Sequence, residues 1–273
     1  SLKAAVAALL LTACAGRSNC DLFTETIYQP THAQGFAIMG ASGRQSTMLV
    51  AHNPWQGAED VSTRILVVRD GEQVPDGFDG QVLRGEARRI VAMSTTHVAM
   101  LGITGDAGRV VGVSGRGFVY NGTLRARGDS LADVGYDSNI DYELILALKP
   151  DIVLLYGVGS ASPMEGKLRE LGVPYAYMGE YLEQSPLGKA EWMVAMAELT
   201  GKREQAAAAF LPIVQRYDSL RTLALGCADR PRVMLNTPYG DSWVMPSTNS
   251  YVARLIADAG GCYVYGLDTG HSS

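Results

Sequence analysis

The stretch DYELILALKPDIVLLY, Asp141 to Tyr156, constrains the fold more than any other part of the chain. A short helical pattern (Glu143, Leu144, Ile145, Ala147, Leu148) runs into Lys149-Pro150, where proline ends a helix and restricts the residue before it. The run Asp151 to Tyr156 then reads as a strand apolar on both faces, the mark of a parallel sheet covered by helices. An α/β fold follows from this one segment.

The flanking sequence extends the pattern. Strands are expected over Arg89–Met93, Arg109–Val113 and Pro174–Met178, with helices over Thr95–Ile103 and Met164–Leu171. This alternation implies right-handed βαβ units and a parallel sheet. A Gly- and Arg-rich loop spans Ser114 to Asp133. Earlier, Thr26 to Gly85 reads as β-rich: short strands over Phe36–Met39, Ser46–Val50 and Arg64–Val68 are punctuated by Asn53-Pro54 and Asp70-Gly71.

From Pro186 to about Leu225, apolar residues such as Trp192, Met196, Leu199, Phe210, Ile213 and Tyr217 recur at helical spacing. Gly201 marks a break and Pro212 a kink or second start. So long a helical stretch between two α/β regions would form a rigid brace. A further strand over Arg232–Asn236 and a helix over Asn249–Ala259, closed by Gly260-Gly261, open a second α/β lobe. About forty residues do not complete such a lobe, since one crossover unit takes roughly thirty. The expected division is residues 1–14 signal, 15–85 tether and β-rich extension, 86–184 first lobe, 185–226 bridging helix and 227–273 the start of an incomplete second lobe.

The chain has 273 residues, enough for a sizeable core, with 47% hydrophobic and 19% charged residues, so it is globular and not disordered. Its net charge of −5 argues against a general nucleic-acid binder. At the N-terminus Lys3, an apolar run and small residues lead to Cys14, a secretory pattern. Leu11-Thr12-Ala13-Cys14 resembles the bacterial lipoprotein box, which implies lipidation at Cys14 and membrane attachment through that lipid alone. Cys20, Cys227 and Cys262 match no zinc spacing. Buried free thiols are expected, with Cys227–Cys262 the only disulfide to consider. His32, His52, His97 and His271 form no metal-ligand pattern, and His97 reads as a packing or cleft-edge residue. No nucleophile with its base and no dinucleotide fingerprint is present. No enzymatic activity, cofactor or resident metal is expected.

RRIVAMSTTHVAML (88–101), RVVGVSG (109–115), NIDYELILALKPDIVLLYG (139–157), LRELGVPYAYMGEYLEQSPLGKAEWM (168–193) and WVMPSTNSYVARLIADAGG (243–261) together resemble the substrate-binding lipoproteins of bacterial ABC importers for ferric siderophores, haem or cobalamin. That resemblance implies two parallel-sheet lobes bridged by one long helix and a ligand held between them. The β-rich region before Gly85 departs from the shortest members. It implies a monomer that captures a metal chelate at the cell envelope and passes it to an ABC permease with its ATPase. Strand ends would line the cleft: Ser94, Thr95 and Thr96 after the first strand, Ser114, Arg116 and Tyr120 after the second, Tyr156 after the third, and Tyr239 and Trp243 from the second lobe. Aromatic faces suit flat or hydrophobic chelates and arginine suits their anionic groups. Several of these have plainer roles open to them: Ser94 and Thr95 as helix caps, Arg116 as a solvated loop charge, Tyr156 and Trp243 as core. Glu143, six residues before Lys149, matches a rim glutamate that pairs with permease arginines in the cobalamin-binding members. An α/β enzyme or chelate-processing protein on the same architecture, or a surface scavenger without its own permease, stays open as the alternative.

Overall fold

The computed structural model describes residues 22–136 and 138–264; Cys14, Cys20 and His271 lie outside the described residues. The chain begins with five strands: β1 (Glu25–Tyr28), β2 (Phe36–Gly40), β3 (Thr47–His52), β4 (Ser62–Val68) and β5 (Gln81–Arg84). They form one sheet in sequential order, antiparallel from β1 to β4, with β5 parallel to β4. Alternation along β3 decides its two faces: Leu49 and Ala51 join the main core, while Met48 and Val50 join a smaller outer cluster.

The α/β part follows as β6 (Ile90–Ala92), α1 (Thr95–Ile103), β7 (Val110–Val113), α2 (Gly122–Arg125), β8 (Ala132–Asp133), α3 (Tyr142–Leu148), β9 (Ile152–Leu155), α4 (Met164–Glu170) and β10 (Tyr175–Tyr177). Its sheet runs β10-β9-β6-β7-β8, and every pairing is parallel. Strand β9 is buried throughout, as its sequence requires. Ile152 and Leu154 face one apolar cluster, and Val153 and Leu155 face the other.

The Lys-Pro-Asp turn does specific work. Lys149 caps α3 in the left-handed region (φ 47), a way out of the helix for a residue that Pro150 bars from continuing it. Asp151 Oδ2 then accepts both the Arg88 and Arg89 N–H groups at 2.8 Å. Arg89 in turn donates from Nε to the Leu148 carbonyl at 2.8 Å. Together these bonds lock the start of β6 beside the start of β9.

The long helical stretch is two helices, α5 (Pro186–Leu199) and α6 (Arg203–Leu225), separated at Gly201 with φ 76. Pro212 lies inside α6, so it is not a second start. α5 is largely buried, and only α6 has the exposure of a bridge. One continuous core runs from the inner face of the first sheet (Phe36, Ile38, Leu49, Ile65) through α5 and α1 to one face of the parallel sheet. The β-rich N-terminal strands thus share a core with the parallel sheet.

Two buried acids fasten this junction. Glu191 of α5 accepts N–H groups of Thr31, His32 and Ala33 at 2.9, 2.7 and 2.7 Å, and the Tyr28 hydroxyl at 2.8 Å. Glu183 accepts from Gln34 and Gly35, each at 3.0 Å, and from the Trp192 indole at 2.9 Å. Five consecutive backbone donors of the loop between β1 and β2, Thr31 to Gly35, are thus satisfied by one acid in α5 and one just before it.

The last part contains β11 (Arg232–Val233), α7 (Tyr251–Asp258) and β12 (Cys262–Tyr263), with β11 and β12 parallel. The strand expected to reach Asn236 ends at Val233, and Asn236 turns into the left-handed region (φ 62). Cys227 and Cys262 are unpaired and exposed, not buried. Cys227 lies two residues past the end of α6, and Cys262 opens a strand in a sheet of two. Among the described residues no helix is long and apolar enough to cross a membrane.

Candidate functional site

The carboxyl ends of β6, β7 and β9 open together into a cavity of about 280 Å³, lined among others by Met93, Ser114, Tyr136, Tyr156, Ser160 and Ser162. Such an edge is where open parallel sheets bind ligands, because the following helices diverge there and leave backbone and short side chains exposed. The strand order contributes directly: β6 is central, and its neighbours β7 and β9 deliver Ser114 and Tyr156 from either side. The loop after β9 supplies most of the wall. Its sequence, GVGSASP over 157–163, offers small residues and hydroxyls. The cavity is therefore apolar at the base (Met93, Leu155, Met164) and hydroxyl-rich at the rim.

Of the residues expected from sequence, Ser114 and Tyr156 line this cavity. Ser94 is the N-cap of α1; its hydroxyl accepts from the Thr96 N–H at 3.2 Å, and Thr95 and Thr96 lie in the first turn, so none of the three is part of the lining. Arg116 and Tyr120 line a neighbouring open groove. There Arg116 is held by Asp129 at 3.0 Å and by the Leu131 carbonyl at 3.2 Å. Tyr120, 81% exposed, lies under the Arg125 guanidinium at 5.9 Å. Tyr239 (91% exposed) and Trp243 (40% exposed) sit on the later segment, outside both lining sets. Trp243 Nε1 donates to the Leu235 carbonyl at 3.1 Å. Glu143 is exposed in the first turn of α3.

Sequence reasoning missed Tyr136 and the 157–163 loop. The loop could have been found, since a small-residue run directly after a buried parallel strand is the signal. Tyr136 could not, because the two-residue β8 before it carries no readable periodicity.

Behind Tyr156 sits His97, fully buried on α1, its ring edge-on to the Tyr156 ring at 6.5 Å. His97 Nε2 lies 3.9 Å from Glu180 Oε2. Burial lowers the His97 pKa to about 3. Burial raises that of Glu180 to about 7, against the smaller pull of its own backbone N–H and of Lys189. Both groups are neutral over the weakly acidic range, so the interior behind Tyr156 carries no net charge from them.

A second cavity of about 270 Å³ lies at the seam of the two sheets, lined in part by Trp55, Arg64, Glu165, Arg169, Tyr175 and Tyr177. Its polar groups are closed on one another: Tyr175 and Tyr177 each donate to Glu165 at 2.9 Å, and Arg169 donates to Glu165 at 2.7 Å. The strand-end cavity is the candidate functional site. Among the described residues, no cluster of three or more His, Cys, Asp or Glu could hold a metal ion.

The family pattern described as periplasmic binding protein matches residues 90–271, which spans the parallel sheet, the cavity and the later segment. The chain belongs to the periplasmic binding protein family. Members of this family bind solutes, and the fold accords with it. The chain aligns with a periplasmic binding protein of Veillonella parvula with TM-score 0.57 and 15% identity, covering 80% of this chain and 68% of that one. It aligns with the apo periplasmic heme-binding protein RhuT of Roseiflexus sp. RS-1 with TM-score 0.52 and 24% identity, covering 68% of this chain and 69% of that one. Both likenesses concern the fold alone. In sequence it is 29% identical over 196 residues to the uncharacterized lipoprotein MJ0878 of Methanocaldococcus jannaschii, covering 68% of this chain and 46% of the relative. The chain spans about half the length of the curated relatives it matches.

Proposed function

We propose that the protein captures a metal chelate, a ferric siderophore, haem or cobalamin, at the strand-end cavity and delivers it to an ABC permease. The observation that carries this reading is the cavity itself. An aromatic face (Tyr156, Tyr136), hydroxyls (Ser114, Ser160, Ser162) and an apolar base converge at the carboxyl edge of a parallel sheet. This combination suits a large, partly flat ligand bearing a few polar groups. At about 280 Å³ the cavity is small for such a ligand, which fits a cleft shared with a facing surface. Arg116, its guanidinium held by Asp129 and the Leu131 carbonyl, and Tyr120 contribute to the ligand's outer edge from the groove beside the cavity. Ser94, Thr95 and Thr96, exposed or half-buried near the same edge, contribute at most through the α1 N-terminus. Tyr239 and Trp243 belong to the opposing wall, and Glu143 to the face that meets the permease. Anchoring through Cys14 at the cell envelope is consistent with the lipoprotein name of MJ0878. The protein acts as a monomer.

Quenching of tryptophan emission in titrations of the full-length protein with haemin, cyanocobalamin and a ferric catecholate siderophore tests this reading. Binding of one of them tighter than about a micromolar, roughly 8 kcal/mol, supports it. Absence of binding across all three refutes it.

A further inference from the structure

The wall of the cavity is a segment with little means of holding its own shape. Between Tyr156 and Met164 the chain has two glycines, Gly157 and Gly159, the latter at φ 70. Its one sizeable aliphatic side chain, Val158, is 67% exposed. A loop so poor in buried contacts is expected to open locally unless something outside it fixes both ends.

That support comes from the N-terminal sheet. Trp55, in the connection between β3 and β4, forms an isolated parallel bridge with Gly157. The approach is close: a Cβ on Gly157 would lie 3.1 Å from Trp55 Cβ and 2.4 Å from the Ser160 carbonyl oxygen. The Tyr181 hydroxyl donates to the Gly157 carbonyl, and the Gln56 N–H donates to the same hydroxyl at 3.3 Å. At the other end of the loop the Ser162 N–H donates to the Tyr177 hydroxyl at 2.8 Å. The Tyr177 ring packs against the Trp55 ring, with centroids 5.5 Å apart. Trp55 therefore touches the supports of both Gly157 and Ser162.

The Trp55 connection is itself fixed. Asn53 donates its N–H to the Val61 carbonyl at 2.7 Å, and its side chain accepts the Val61 N–H at 3.1 Å. The Ala58 N–H donates to the Trp55 carbonyl at 3.1 Å. This scaffold is carried by β3 and β4, whose inner faces are part of the main core.

We propose that Trp55 is a positioning residue for the cavity wall, so that the N-terminal sheet is a working part of the ligand site. Trp55 is absent from the cavity lining and acts through Gly157 and Tyr177. The proposal rests on the reading of that cavity as the ligand site, but the position of the loop can be measured without any ligand.

Hydrogen–deuterium exchange on the full-length protein provides the test. Trp55→Ala is expected to raise exchange across 157–163 about tenfold or more, with β6 and β7 unchanged, and Trp55→Phe to restore most of the protection. If Trp55→Ala does not fold, Tyr181→Phe decides, since it removes only the hydroxyl bonded to Gly157 and should raise exchange at the Gly157 end of the loop alone. Unchanged exchange in 157–163, or an equal rise across the whole lobe, overturns the proposal. Titration of the same variants with haemin and cyanocobalamin then separates the two claims. If the wild type binds one, Trp55→Ala should bind it about tenfold more weakly. If the wild type binds neither and exchange still rises locally, the positioning stands and the chelate reading loses support.

Discussion

His97 and Glu180 face each other at 3.9 Å inside the protein, and among the described residues neither His97 ring nitrogen nor Glu180 Oε2 has a hydrogen-bond partner. In the unfolded chain at weakly acidic pH this pair is an imidazolium and a carboxylate. In the fold, burial drives His97 down to about 3 and Glu180 up to about 7, so the histidine is neutral and the acid keeps its proton. Folding moves one proton from His97 to Glu180 without changing how many are bound.

The pH dependence follows from those shifts. Glu180, raised from 4.5, costs stability progressively as pH climbs from 4.5 through about 7. His97, lowered from 6.5, costs stability as pH falls from 6.5 toward about 3. Between 4.5 and 6.5 the two slopes oppose each other and cancel. Replacing one partner uncovers the other's slope, so relative to wild type Glu180→Gln should lose stability on acidification across that window. His97→Phe should lose it on alkalinisation, each by about 2 to 3 kcal/mol over the window. Urea unfolding at a series of pH values reads this out; parallel curves for the three proteins would contradict the neutral pair.

Glu191 makes a sharper stability prediction. Its carboxylate serves three consecutive backbone N–H groups and the Tyr28 hydroxyl, and Tyr28 is held protonated by burial and by that carboxylate. Glu191→Ala leaves those donors without an acceptor and should cost about 3 kcal/mol or more. Chemical denaturation measures the loss. Proteolysis should localise it to the loop between β1 and β2, and a change under about 1 kcal/mol would mean that water replaces the carboxylate freely.

Much of this architecture could be read from the chain because its signals are local. Pro150 compels the exit of α3, Gly201 separates α5 from α6, and Ser94 caps α1 where a serine precedes a helical run. The alternation of strand and helix gave the parallel sheet, whose open edge then held Ser114 and Tyr156. What stayed hidden depends on contacts between distant residues. Nothing near Trp55 announces that it meets Gly157, and nothing near Glu191 announces the loop it caps. Arg116 was read for its charge, yet Asp129 and the Leu131 carbonyl occupy its guanidinium and turn it into the neighbouring groove.

Glu143 tests delivery apart from capture. It is exposed on α3, away from the cavity lining, and a rim charge governs encounter more than ligand affinity. In cells that take up the chelate through this protein, Glu143→Arg should cut uptake severalfold while leaving chelate affinity within about twofold. Equal losses in both assays would place Glu143 in the ligand site or in stability, not in docking.

The central claim is that a chelate seats against the strand-end cavity, and calorimetry on the full-length protein tests it most directly. Wild type, Tyr156→Ala and Tyr175→Phe are titrated with haemin, cyanocobalamin and a ferric siderophore. One of the three should bind wild type at one to one. Tyr156→Ala should weaken it about tenfold or more, roughly 1.4 kcal/mol, while Tyr175→Phe, in the seam cavity, binds like wild type. Wild-type affinity in Tyr156→Ala, or a loss confined to Tyr175→Phe, would contradict the account.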